Sequence, residues 1–125
     1  MNGRGRRSKG QRGERELVSL LSEQLGQDIV RNLEQARSGG VDLLGVGGFA
    51  VECKRQDSLN LSAWWRLACE QAQSAENRHV LAYRQSRRPW RFIIEIGAVN
   101  PNFEGQPFTI EMCLQGFCLL VRETL

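Results

Sequence analysis

The sequence lacks the cysteine and histidine pattern of a structural zinc site. It has four cysteines, none of them in a Cys-x-x-Cys pair, and a single histidine, His79. Structural zinc takes four such ligands at short, regular spacings. The cysteines are Cys53, Cys69, Cys113 and Cys118. A zinc-binding fold is therefore not expected.

Long apolar runs are also missing. No amino-terminal stretch resembles a signal peptide, and no segment approaches the roughly 20 apolar residues that span a bilayer. We therefore expect no membrane association, reduced thiols and a cytoplasmic location. There is no internal repeat, and 125 residues with 41% apolar and 25% charged side chains fit one folded domain.

Positive charge is concentrated at the amino end. Residues 1–15 hold six basic side chains against the single acid Glu14, whereas the other 110 residues hold 11 basic and 13 acidic side chains. A basic, glycine-rich segment suits a flexible arm that binds polyanions. A solvated tail that only aids solubility fits the charge equally well. We place this arm at residues 1–10 and the folded domain at 11–125.

Two amphipathic helices are predicted from leucine and tryptophan spacing. The first runs from Gln11 to about Leu25, and Gly26 ends it. The second runs over about 61–77 after a turn at 57–60. Its inward face collects Leu61, Trp64, Trp65, Ala68, Ala72 and Ala75.

Short apolar runs between turn residues predict the strands. These runs are 28–33, 41–46, 49–54, 79–84, 90–96, 108–114 and 117–121. Gly47-Gly48 and Gln115-Gly116 each separate two runs and predict two hairpins. The order of elements predicts an α/β domain in which helices flank a central mixed sheet.

Asp42, Glu52 and Lys54 form a candidate site on the first hairpin. Strand alternation sends Glu52 and Lys54 to one face and Cys53 to the other. Carboxylates hold Mg²⁺, which activates water, and a lysine can orient that water or stabilise negative charge, so the set suits phosphodiester cleavage. An acid followed by Glu-x-Lys also occurs by chance, and the glycine turn makes the pattern more specific.

The hairpin register decides whether the two acids meet. A strict two-residue turn at Gly47-Gly48 would set Asp42 opposite Cys53 instead of Glu52. Convergence needs an odd-length turn or a bulge, which the glycines at 45, 47 and 48 permit. We therefore predict such a register.

Glu14 is predicted to face the core on the first helix. At about 100° per residue it lies within the stripe of Leu17 and Leu21, whereas Glu16 points to solvent. A buried carboxylate needs a cation or a hydrogen-bond donor, so Glu14 is a candidate metal ligand. Alternatively, the helix starts later and Glu14 stabilises its positive amino end.

Five segments also form a recognisable set: Ser8–Val18, Arg31, Arg37–Asp42, Val51–Lys54 and Glu70–Ala72. Together they resemble the archaeal-type Holliday-junction resolvases and related phage nucleases of the PD-(D/E)xK type, over roughly residues 8–75. Val41 stands where many relatives have proline, and the last 45 residues do not match.

The resemblance implies a restriction-endonuclease-like fold and one metal site. It implies metal roles for Glu14, Asp42 and Glu52, with Cys53 counted among the metal-site residues, and a catalytic role for Lys54 beside these acids. The expected ion is Mg²⁺, with Mn²⁺ as a substitute, and no small-molecule cofactor is expected.

Further side chains are predicted to bind DNA. Gln71 suits a phosphate contact from the second helix, although a half-exposed position at the border of that helix fits it as well. The full set is Arg4, Arg6, Arg7, Lys9, Arg12, Arg15, Arg37, Ser38, Arg55, Gln71, Arg87 and Arg88.

We therefore predict a magnesium-dependent endonuclease that cuts branched DNA such as four-way junctions in recombination and repair. A junction is nearly two-fold symmetric and is cut on two strands, so a homodimer is expected. If the gene is a phage gene, the location is the host cytoplasm. The alternatives are a related nuclease without junction preference and a non-catalytic nucleic-acid-binding module.

Overall fold

A six-stranded sheet forms the centre of the computed structural model, which describes residues 3–33, 42–72 and 78–124, with side chains from Gln11 onward except at 71 and 72. The strands are β1 (Val30–Arg31), β2 (Leu43–Leu44), β3 (Phe49–Arg55), β4 (Arg78–Arg84), β5 (Arg91–Glu95) and β6 (Thr109–Cys113). The helices are α1 (Gly3–Leu25), α2 (Leu61–Ala72), α3 (Ile96–Val99) and α4 (Leu114–Glu123), with a 3₁₀ turn at Pro101–Phe103.

The sheet is mixed, and its spatial order follows the chain from β1 to β6. Strands β3 and β4 run parallel, and every other neighbouring pair is antiparallel. A parallel pair needs a crossover, which the segment containing α2 provides. Because β3 and β4 are parallel, both end at the same edge of the sheet.

Helices cover both faces of the sheet. Leu17 and Leu21 of α1 and Phe117 of α4 are fully buried with Val51 and Phe92 on one face. On the other face, Trp64 and Ala68 of α2 pack against Leu81 and Tyr83. The predicted mixed sheet flanked by helices is confirmed.

The end of the first helix is also confirmed. Gly26 takes a positive φ of 65°, which glycine adopts at low cost, and its N–H donates to the Ser22 carbonyl at 2.9 Å. The predicted start at Gln11 is wrong, since α1 begins at Gly3. Arginine, lysine and glutamine are good helix formers and outweigh the intervening glycines in this segment. The division of the chain at residue 10 stays a prediction.

The predicted hairpin at the carboxyl end is wrong. Residues 109–113 form β6, but the apolar run after Gln115-Gly116 belongs to α4. Leu114, Phe117, Cys118 and Val121 recur at helical spacing, and the last three of these residues are buried. Cys113 caps this helix, because its sulfur accepts from the Gly116 N–H at 3.4 Å. Gln115-Gly116 therefore lies in the first turn of a helix and not in a hairpin turn.

Some predictions fall outside the described residues. They concern Arg37, Ser38 and Val41, and the last five residues of the second predicted helix. Among the described helices, none is long and apolar enough to cross a membrane.

Candidate active site

The hairpin register brings Asp42 opposite Glu52. Leu43 pairs with Val51, whereas the turn closes with a hydrogen bond from Phe49 N–H to the Val46 carbonyl at 3.0 Å. Two residues separate Leu43 from Val46 and only one separates Phe49 from Val51, so the first strand has one extra residue. The predicted odd register is therefore confirmed.

Gly45 makes this bulge possible. Its φ of 91° favours glycine, and a Cβ at this position would lie 2.7 Å from the Asp28 carbonyl oxygen. Any side chain here would clash with backbone. The acid pair thus depends on a glycine three residues away.

Asp42 and Glu52 are the buried acidic residues of the described chain, with exposed fractions of 5% and 9%. The Cys53 N–H donates to Asp42 Oδ2 at 2.7 Å and fixes that carboxylate. Burial, followed by the negative charge of Asp42 and a hydrogen bond to it, raises the pKa of Glu52 to about 8. Without a cation, the two carboxyl groups therefore retain a proton at neutral pH.

Lys54 lies on the same face as Glu52, two positions along β3, and is half-buried. Its ammonium group is close enough to lower the pKa of Glu52, although burial outweighs this effect. The structure therefore places a carboxyl pair and an ammonium group on one face of the hairpin.

Cys53 contributes through its backbone. Its thiol is packed in the core beneath α1, and burial raises the thiol pKa well above its ordinary value. A buried, protonated thiol is a poor metal ligand. The contact that Cys53 makes to the site is its N–H bond to Asp42.

Glu14 approaches from α1 and is paired with Arg31. Glu14 Oε1 accepts from Arg31 Nε at 3.2 Å, and the two side chains are 15% and 21% exposed. Burial, followed by the charge of Asp42, raises the pKa of Glu14, while Arg31 and Arg15 lower it. The negative charge of the acid pair therefore acts on the Glu14 carboxyl group. Sequence reasoning included Arg31 in the resemblance but gave it no role.

The three acids do not form a closed cluster. Among the described residues, no three His, Cys, Asp or Glu side chains lie close enough together to hold a metal ion. Asp42 and Glu52 adjoin, and the third carboxylate is engaged by Arg31. The predicted meeting of three acids is thus found for two of them, with Glu14 within electrostatic reach.

A second contact fixes α1 against the end of β3. A Cβ added at Gly13 would lie 2.9 Å from the Arg55 Cβ. Only glycine permits this approach, which sets Glu14 beside the strand that contains Glu52. Arg55 Nε is buried with no hydrogen-bond partner in the described structure.

Glu16 does not point freely to solvent as predicted. It accepts from Arg84 Nη1 at 2.5 Å and from Trp90 Nε1 at 2.7 Å. Arg84 Nε also donates to the Arg88 carbonyl at 2.9 Å. Glu16 therefore ties α1 to the β4–β5 turn, through contacts to residues about 70 positions away that helix periodicity could not reveal.

The predicted DNA-binding residues lie on several elements. Arg12 and Arg15 are exposed on α1, and Arg87 and Arg88 are exposed in the β4–β5 turn, at the sheet edge where β3 ends after Lys54. Arg55 is the last residue of β3, and its side chain is partly buried. The backbone of the other described candidates is helical, but their side chains are not described. These are Arg4, Arg6, Arg7, Lys9 and Gln71.

Comparisons with known proteins show which family and which fold this chain resembles. The family described as "Phage putative PDDEXK endonuclease" matches residues 5–109. A solved structure of Archaeoglobus fulgidus Hjc, a Holliday junction resolvase from an archaeal hyperthermophile, is similar with a TM-score of 0.55 and 16% identity. The match covers 91% of this chain and 99% of that one, and it shows a shared fold. A search of curated proteins found no match.

Proposed function

Since the chain belongs to the phage PDDEXK endonuclease family, we propose that it hydrolyses DNA phosphodiesters as a metal-dependent endonuclease. The observation that supports this proposal most directly is the buried pair of Asp42 and Glu52 on the same face as Lys54. Two buried carboxyl groups in contact are costly unless a cation joins them.

The groups present fit Mg²⁺, with Mn²⁺ as a substitute. Glu52 Oε2 is buried and has no hydrogen-bond partner among the described residues, so a ligand oxygen is already desolvated there. Asp42 and Glu52 would hold the ion, with Glu14 as a third carboxylate, and magnesium retains several waters besides. When bound, the ion supplies an activated water and neutralises charge on the phosphate.

Lys54 and the backbone complete the chemistry. The Lys54 ammonium group would orient the attacking water or stabilise the charge that develops on the phosphate oxygens. The Cys53 N–H holds Asp42 in one orientation, so the carboxylate need not reorganise during the reaction. Burial of the pair keeps competing solvent from these groups and strengthens each interaction.

The substrate is proposed to be DNA held through its phosphates. Arg12, Arg15, Arg87 and Arg88 are exposed and could track the backbone on either side of the site, so binding should weaken with salt. The predicted contacts from Arg4, Arg6, Arg7, Lys9, Arg37, Ser38, Arg55 and Gln71 belong to the same proposal.

Branched DNA is the preferred substrate in this proposal. The similar protein from Archaeoglobus fulgidus is a Holliday junction resolvase, and a homodimer could cut the two strands of a four-way junction symmetrically. Action in the cytoplasm, of the host in the case of a phage gene, fits this role in recombination and repair.

Incubation of labelled DNA with the protein, with and without Mg²⁺, tests the function. Four-way junction, flap and linear duplex are compared in parallel. We expect magnesium-dependent cutting of the junction, abolished in Asp42→Asn and Lys54→Ala variants that still bind it. Asp28→Asn, at an exposed position, is the matched control and should cut normally.

Two other results would change the proposal. Equal cutting of all three substrates would favour a nuclease that lacks junction preference. Tight DNA binding with no metal-dependent cutting in any substrate would leave a non-catalytic binding module.

A further inference from the structure

Arg31 is a basic side chain inside the candidate site that the proposed reaction does not use. It lies on β1 and pairs with Leu43, the neighbour of Asp42. The adjoining N–H of Asn32 donates to the Asp42 carbonyl at 2.7 Å. Arg31 thus stands in the strand next to the acid pair, held there by the sheet.

The Arg31–Glu14 ion pair occupies the third carboxylate. Arg31 Nε lies 3.2 Å from Glu14 Oε1, and both side chains are mostly buried. The charge of Asp42 raises the pKa of Glu14, and that of Glu14 raises the pKa of Glu52, so the three acids share one electrostatic environment. Arg31 therefore offsets negative charge that a metal ion could offset instead.

A guanidinium group is also suited to bind phosphate. The contact to Glu14 uses Nε, and the group has two terminal nitrogens that can donate to phosphate oxygens in a fork. A phosphate bound to Arg31 would compete with Glu14 for the same positive charge. Glu14 could then turn toward Asp42 and Glu52.

We propose that Arg31 binds a phosphate of the DNA substrate and thereby releases Glu14 to become the third carboxylate of the metal site. This inference rests on the proposed function. DNA and metal would then bind cooperatively, each raising the affinity of the other by the same factor. Metal would be held weakly by the free protein and more tightly once DNA is in place.

The first test is Mn²⁺ affinity without DNA, measured by electron paramagnetic resonance. Arg31→Gln should bind Mn²⁺ about fivefold more tightly than the native protein, because Glu14 is no longer held. Removal of a positive charge alone would have a similar effect, so Glu14→Gln and the double variant are measured too. The gain should disappear when Glu14 is absent.

The second test measures binding of a short DNA duplex by fluorescence anisotropy. It uses proteins that also contain Lys54→Ala, so that the DNA is not cleaved during the measurement. Mn²⁺ should raise duplex affinity about fivefold, and Arg31→Gln should remove this gain. Arg31→Lys retains charge but loses the fork and serves if the glutamine variant does not fold. In that variant the gain from Mn²⁺ should also fall. Arg78→Gln, which breaks an exposed ion pair with Glu104, is the control and should change neither affinity.

The outcomes separate this inference from the proposed function. Unchanged or weaker Mn²⁺ binding in Arg31→Gln would show that the ion pair only ties β1 to α1, and a gain that persists without Glu14 would show a simple charge effect. Either result overturns the inference. The proposed nuclease function would still stand if DNA cutting depends on Asp42 and Lys54. Absence of both cutting and Asp42-dependent Mn²⁺ binding would overturn the proposed function itself.

Discussion

Two regions of this protein hold acidic side chains in opposite ways. At the β2–β3 hairpin, Asp42 and Glu52 are buried against each other, and burial and like charge raise the pKa of Glu52 to about 8. Where α1 meets β4 and β5, Glu16 is matched by the Arg84 guanidinium at 2.5 Å and the Trp90 indole at 2.7 Å. The first arrangement costs stability, and the second provides it.

The contrast indicates which acids belong to a reaction. A matched acid such as Glu16 is explained by the fold alone. Two buried carboxyl groups in contact, of which Glu52 Oε2 has no hydrogen-bond partner among the described residues, are retained against their cost, which is typical of sites that bind a cation or a substrate. Glu14 is intermediate between these cases. Arg31 lowers the pKa of Glu14, but burial and the charge of Asp42 outweigh this effect and the pKa stays raised.

The largest expected effect is on activity, in Glu52→Gln. This change removes a buried ligand oxygen with its charge, and the cleavage rate should fall about 10³-fold. Single-turnover cleavage of the junction at saturating DNA measures it. Retention of more than a tenth of the native rate would mean that Glu52 is not part of the reactive group.

The second effect is on the stability of the metal-free protein as a function of pH. The folded pKa of Glu52 is about 8, above its ordinary 4.5, so the folded state retains a proton that the unfolded chain loses. The stabilising contribution is complete below pH 4.5 and is lost as pH rises to about 8. The loss should be on the order of a few kcal/mol.

Urea unfolding in EDTA between pH 5 and pH 8.5 measures this slope. In Glu52→Gln most of the slope should vanish, and the variant should be more stable than the native protein at pH 8. The same slope in both proteins would place the titration on another group.

The placement of Asp42 beside Glu52 could be predicted from the sequence because it depends on residues of one hairpin. Strand alternation assigns Glu52 and Lys54 to one face, and the glycines permit the register that sets Asp42 opposite Glu52. Gly45 permits the extra residue in this register, because it takes a positive φ and lies close to the Asp28 carbonyl, where a side chain would clash.

The sequence was insufficient where partners come from distant segments. Helix periodicity predicts that Glu16 points to solvent, because it reports the direction of a side chain and not which residues lie in that direction. Its partners Arg84 and Trp90 are 68 and 74 residues away. The Arg31–Glu14 pair has the same cause, since its two residues come from different elements. The helix that follows β6 differs, because the apolar residues after Gln115-Gly116 already recur at helical spacing in the sequence.

The third effect concerns the matched acid. Glu16→Gln keeps an acceptor oxygen for Trp90 but leaves the Arg84 charge without its partner. The free energy of unfolding should fall by about 1–3 kcal/mol. Glu23→Gln, an exposed site on the same helix, should be close to neutral. Cleavage per folded molecule should stay within about threefold of native, because Glu16 bonds to Arg84 and Trp90 and not to the acid pair.

A large loss of cleavage with no loss of stability in Glu16→Gln would reverse the comparison. Glu16 would then act in the reaction, and the matched region would belong to the site. Chemical unfolding and single-turnover rates on the same samples decide between these results.

The smallest expected effect compares two helical glycines. A Cβ at Gly13 would lie 2.9 Å from the Arg55 Cβ, whereas one at Gly116 would have Met112 Cβ as its nearest neighbour at 3.5 Å. Alanine in place of glycine gains roughly 0.5–1 kcal/mol in a helix, but overpacking costs about 1–3 kcal/mol. Gly116→Ala should therefore stabilise the protein, and Gly13→Ala should destabilise it by about 1 kcal/mol.

Since Gly13 adjoins Glu14, the Gly13→Ala variant should also lose cleavage activity. If both variants gained stability alike and cut normally, the approach of α1 to β3 would not be what sets Glu14 beside the acid pair.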